Sequence, residues 1–103
     1  MIKHIVCWKL VETYNGNSKQ EIAMQIKEKL EQLSETIPQI HTLEVGINYV
    51  EDANNDMISD VVLISEFENE AALQAYAIHP DHVQAGSFIK AVATERRVVD
   101  YKF

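Results

Sequence analysis

Residues 73–83 read Leu73-Gln74-Ala75-Tyr76-Ala77-Ile78-His79-Pro80-Asp81-His82-Val83, and this stretch decides how the chain is arranged. Proline lacks an N–H and its ring collides with the preceding helical turn, so Pro80 cannot continue a helix that began upstream. It is well suited to the first position of a new one. The stretch therefore predicts the end of one helix, a sharp change of direction at His79-Pro80, and the start of a second helix. Tyr76 then falls near the end of the first helix and His82 in the first turn of the second, which lets a phenol and an imidazole face a common space. Two readings are open. Either the polar residues satisfy the free backbone groups of a helix start, or they form a proton-transfer pair.

On either side of this corner the patterning is regular. Upstream, Val61-Val62-Leu63-Ile64-Ser65-Glu66-Phe67 is apolar on both faces for most of its length, as in a strand covered from both sides. Asn69 then caps a short helix whose apolar side is Leu73 and Tyr76. Downstream, Ala85, Phe88, Ile89 and Val92 recur at helical spacing. Arg96 to Phe103 reads as a strand, with Val99, Tyr101 and Phe103 on one face and Val98 and Asp100 on the other. Arg96-Arg97 reads as an exposed pair at the start of this strand, with anion binding as the competing reading.

The first half follows the same rules. Ile2–Leu10 alternates Ile2, His4, Val6, Trp8 and Leu10 with Lys3, Ile5, Cys7 and Lys9, which predicts a strand. His4 on the apolar face is either a hydrogen-bonded core histidine or a group that reaches an internal pocket. Tyr14-Asn15-Gly16-Asn17 is a loop by composition. Ser18 followed by Glu21 is a capping-box signature, and Ile22, Ile26, Leu30, Leu33 and Ile37 give a long helix its apolar stripe. That helix ends before Pro38, because the residue preceding a proline avoids helical angles. Leu43, Val45, Ile47 and Tyr49 alternate with polar residues in a further strand. The acidic connection from Glu51 to Ser59 lacks the ordered ligand spacing and turn glycine of a calcium loop and reads as a solvated hairpin loop.

The order is strand, helix, strand, strand, split helix, strand. This is an α+β chain of ferredoxin-like βαββαβ type, with an antiparallel sheet and helices on one face. With 103 residues and no composition break, residues 1–103 are expected to form one domain. Helices cover one sheet face only, and Ile5, Cys7, Val62 and Ile64 fall on the other. An apolar face of that size predicts a homodimer whose sheets pack face to face.

Composition excludes several classes of function. The formal net charge is −7 and Arg96-Arg97 is the sole adjacent basic pair, so binding to nucleic acid is not expected. No apolar run approaches the ~20 residues that span a bilayer, and no signal-peptide pattern opens the sequence. A cytoplasmic location without membrane contact is therefore expected, and the single cysteine, Cys7, fits a reducing compartment. His4, His79 and His82 are the candidate metal ligands, but the Pro80 break separates the last two and no carboxylate joins them, so neither metal nor cofactor is expected.

The opening Met1-Ile2-Lys3-His4-Ile5-Val6, the Ile37-Pro38 break, Val62-Leu63-Ile64-Ser65-Glu66-Phe67, Tyr76-Ala77-Ile78-His79-Pro80-Asp81-His82-Val83 and the closing Asp100-Tyr101 resemble the stress-responsive A/B barrel domain (Dabb) family over essentially the whole chain. The resemblance implies a dimeric α+β barrel, a stress-related role and, for many members, no established activity. It further implies a small apolar pocket between sheet and helices, lined by His4, Val6, Trp8, Ile26, Leu30 and His79, that holds a small apolar ligand. A distant resemblance to olivetolic acid cyclase implies the alternative, a cofactor-independent enzyme of aldol cyclase, lyase or monooxygenase type acting on a small carbonyl or polyketide-like substrate. In that alternative His82 is the base and Tyr76 the hydrogen-bond donor. Trp8 is bulkier than its counterpart in the cyclase, whereas Ile26, Leu30, Ala85 and Ala93 replace larger aromatic residues, so a long alkyl-chain substrate is not implied.

Overall fold

The computed structural model describes residues 1–52 and 54–103. The strand β1 (Ile2–Leu10) leads through a two-residue hairpin, β2 (Thr13–Tyr14) and β3 (Asn17–Ser18), into helix α1 (Lys19–Thr36). Strands β4 (Thr42–Ile47) and β5 (Val61–Phe67) follow, then helices α2 (Glu70–Ile78) and α3 (Pro80–Val92), and finally β6 (Ala93–Lys102). The main sheet has the order β4-β5-β1-β6 with every neighbouring pair antiparallel, which is the ferredoxin-like βαββαβ arrangement. None of the described helices is long and apolar enough to cross a membrane.

Local chemistry sets the boundaries. The Ser18 hydroxyl accepts from the Glu21 N–H, and the Glu21 carboxylate accepts from the Ser18 N–H, so two of the free donors at the start of α1 are satisfied reciprocally. The stripe Ile22, Ile26, Leu30, Leu33 and Ile37 is buried against the sheet and α3. Each such side chain contributes about 1.5–3 kcal/mol by leaving water. Asn15 and Gly16 take positive φ of 51° and 81°, which lets the hairpin of β2 and β3 reverse in two residues. The side chain of Asn69 accepts from the Ala72 N–H to cap α2.

Two boundaries differ from the sequence reading. The last strand begins at Ala93 rather than Arg96, because α3 runs straight into it. The Val92 carbonyl, at the end of that helix, already accepts from the Val11 N–H at 2.9 Å, and Ala93 pairs with Leu10. Arg96-Arg97 therefore lies inside a strand, with its two side chains on opposite faces. Tyr49 is not a strand residue. After Ile47 the Asn48 side chain donates to the Ser59 carbonyl and accepts from the Val50 N–H, which turns the chain away and leaves Tyr49 94% exposed.

The register assigns the faces. Ile2, His4, Val6, Trp8 and Leu10 of β1 are buried beneath the helices together with Val61, Leu63, Ser65 and Phe67 of β5. On the outer face Ile5 lies opposite Ile64 and Val99, and Cys7 opposite Val62. No described helix covers that face.

Candidate functional site

Between the sheet and α3 lies a cavity of about 430 Å³. This is within the usual range for small-molecule sites. Its apolar wall includes Val6, Trp8, Leu30, Leu63 and Ile89, and its polar groups include His4, Tyr76, His82, Lys90 and Arg96. The helix break builds one side. Pro80 occupies the first position of α3, and the His79 ring nitrogen Nδ1 accepts from the Asp81 N–H at 3.1 Å, acting as the N-cap. His82 consequently sits in the first turn of α3 and Tyr76 in the last turn of α2, with ring centroids 4.3 Å apart.

His82 is held in one tautomer. Its Nδ1 lies 2.9 Å from the Ala77 carbonyl oxygen, which only accepts, so Nδ1 carries the hydrogen and Nε2 keeps the lone pair in the neutral ring. Burial disfavours the imidazolium and is the main reason the His82 pKa is lowered from 6.5. The positive fields of His4, Arg96 and His79 act in the same direction, and the Ala77 carbonyl opposes them. The ring is therefore a neutral base near pH 7.

Tyr76 is 1% exposed, and among the described residues its hydroxyl has no hydrogen-bond partner. Burial pushes its pKa from 10.0 up to about 12, against a smaller downward pull from the Arg96 charge. It thus remains a phenol, able to donate. The ring also packs 5.0 Å from Phe67 and 6.1 Å from His4, centroid to centroid, so its position is fixed on three sides. His4 in turn donates from Nδ1 to the Asp100 carboxylate, its direct neighbour across β1 and β6. Ser65, opposite His4 on β5, donates to the His4 carbonyl at 3.3 Å.

Of the residues expected in the pocket, His4, Val6, Trp8, Leu30, Tyr76 and His82 meet at this cavity. Ile26 and His79 do not line it. Ile26 is fully buried in the core, and His79 is turned to its own capping role. Sequence reasoning did not link Asp100 to His4, since that pairing depends on the register of strands 96 positions apart. It also left Lys90 and Arg96 out of the pocket. The strand parity of Arg96, which places it opposite Trp8, was the available signal. Among the described residues, no group of three or more His, Cys, Asp or Glu side chains converges as a metal site.

The profile of a protein family described as Stress responsive A/B Barrel Domain (Dabb) matches residues 2–103. Comparison with curated proteins gave no match. Solved structures similar to this chain include a dimeric protein of unknown function with a ferredoxin-like fold from Bacteroides fragilis, 34% identical, with a TM-score of 0.83 over 99% of this chain and 95% of that one. A dimeric ferredoxin-like protein of unknown function from Thermobifida fusca is 24% identical, with a TM-score of 0.81 over 99% and 90% of the two chains. Hydroxynitrile lyase from Passiflora edulis is 15% identical, with a TM-score of 0.77 over 97% and 90%, a likeness of fold alone.

Proposed function

The chain belongs to the stress responsive A/B barrel domain family, and from that premise we propose that it binds a small carbonyl compound in the cavity and moves a proton at the carbon beside the carbonyl, without a cofactor. The observation that carries this reading is the Tyr76 hydroxyl, buried without a partner beside a histidine of fixed tautomer. Buried polar groups are almost always paired, and an orphan calls for a ligand or another functional explanation. A carbonyl oxygen supplies the acceptor that Tyr76 lacks.

The chemistry uses two groups. The Nε2 lone pair of His82 removes a proton from the carbon next to the carbonyl, and the electron pair of the broken C–H bond moves onto the carbonyl oxygen. The Tyr76 hydroxyl donates a hydrogen bond to that oxygen as negative charge develops on it. Return of the proton from His82 to carbon completes the cycle; so does attack of the enolate on a second carbonyl, whose oxygen becomes an alkoxide and takes the proton from His82. The apolar wall limits water in the site, which strengthens the hydrogen bond from Tyr76.

The same reading assigns the outer sheet face to a homodimer. Ile5, Val62, Ile64 and Val99 form an apolar strip with no helix of this chain above it. The solved Bacteroides and Thermobifida proteins of this fold are dimeric.

The test is hydrogen–deuterium exchange at the α-carbon of phenylacetone and related small ketones in D2O, followed by NMR. The protein accelerates exchange over buffer, and His82→Ala removes about 10²–10⁴-fold of that acceleration, the usual contribution of a general base. Exchange at the buffer rate with every ketone, or undiminished exchange in His82→Ala, refutes the reading.

A further inference from the structure

The cavity wall carries two cations, Arg96 and Lys90, and one carboxylate, Glu95, on a protein whose formal net charge is −7. Arg96 and Lys90 both line it, and among the described residues neither has a carboxylate partner. The two carboxylates nearest Arg96 along β6 are already engaged: Asp100 by His4, and Glu95 by Arg97 at 3.6 Å. Glu95 also borders the cavity, but its partner is the guanidinium on the opposite face of the strand. Arg96 lies opposite Trp8 on the face of β6 that borders the cavity, where it and Lys90 are solvent-exposed at the rim.

The charge of Arg96 is felt by both groups of the acid–base pair, pulling the pKa of Tyr76 down and disfavouring protonated His82. Its guanidinium therefore belongs to the same electrostatic space as the phenol and the imidazole. A guanidinium presents a planar fork that matches a carboxylate in two parallel hydrogen bonds. An unpaired fork at the exposed rim of a largely apolar cavity selects a ligand that carries both features.

Building on the function proposed above, we infer that the natural ligand is a carbonyl compound bearing a carboxylate, with Arg96 anchoring the carboxylate, Lys90 adding attraction at the wall, and the carbonyl resting on Tyr76. Arg96 is then the residue that determines specificity.

The test compares 4-acetylbenzoate with 4-acetylbenzamide, which share the aryl ketone and differ in charge, by calorimetric or NMR titration of the full chain. The carboxylate binds about tenfold more tightly or better, the usual scale for a charge-assisted hydrogen bond. Arg96→Gln brings the two affinities together, and in the unaltered protein the preference shrinks as salt rises. Equal affinities with binding still at Tyr76 and His82 overturn the role of Arg96 and leave the carbonyl site standing. A carboxylate preference that survives both Arg96→Gln and high salt also overturns it. Absence of binding by both compounds overturns the carbonyl site as well.

Discussion

Replacing Tyr76 by phenylalanine removes one buried oxygen and nothing else, and the two consequences have opposite signs. The hydroxyl has no partner among the described residues, so the folded protein carries its desolvation without a compensating hydrogen bond. An unsatisfied buried hydroxyl costs about 1–3 kcal/mol. The phenyl ring keeps its packing against Phe67 at 5.0 Å and His82 at 4.3 Å, so no contact of the ring faces is lost. Tyr76→Phe should therefore stabilise the ligand-free protein by about 1–3 kcal/mol, which raises Tm by about 4–8 °C per kcal/mol for a domain of this size. Urea unfolding at matched protein concentration reads this as a higher midpoint with an unchanged slope. The same variant should lose ketone exchange by about 10²–10³-fold, the scale seen when one donor to a developing oxyanion is removed. Destabilisation by 1 kcal/mol or more would refute the reasoning, since it would mean that the hydroxyl is well satisfied without ligand.

Three further outcomes are expected. The lowered pKa of His82 means that the unfolded chain binds a proton more readily than the folded one as pH falls through 6.5. Stability is therefore lost below about pH 6.5, and His82→Ala should flatten the slope of stability against pH in that window, measured by urea unfolding at stepped pH. Ile64→Lys places a charge at the centre of the outer sheet face opposite Ile5, and should convert a dimer into a monomer in sedimentation experiments. Ser18→Ala removes the hydroxyl that accepts from Glu21 at the start of α1, and should cost about 0.5–2 kcal/mol in thermal or urea unfolding without affecting the ketone site.

The parts of the fold legible in the sequence are those where a short-range rule acts alone. Alternation of Ile2, His4, Val6, Trp8 and Leu10 placed β1, the Ser18–Glu21 box placed the start of α1, and Pro80 placed the break that brings Tyr76 to His82. What was not legible depends on tertiary neighbours. Tyr49 continues an alternating pattern, yet the Asn48 side chain turns the chain out of the sheet before it. The start of β6 carries no turn signal, because a hydrogen bond to the end of the first strand ends the helix and begins the strand together. The partnership of His4 with Asp100 is a matter of register across the sheet, and His79 was drawn from the cavity by a backbone N–H two residues away. Arg96 illustrates the same point. Arg96 and Arg97 are exposed, as the sequence suggested, but only the register that sets Arg96 opposite Trp8 brings it to the edge of the cavity.

In the proposed complex a carbonyl oxygen completes the hydrogen bonding of Tyr76 beside a basic His82. A crystal structure of the protein with 4-acetylbenzoate tests it most directly. The ketone oxygen is expected about 2.6–3.2 Å from the Tyr76 hydroxyl, with the acetyl methyl carbon facing His82 Nε2. A ligand seated on the outer sheet face, or in the cavity with its ketone turned away from Tyr76, would contradict it.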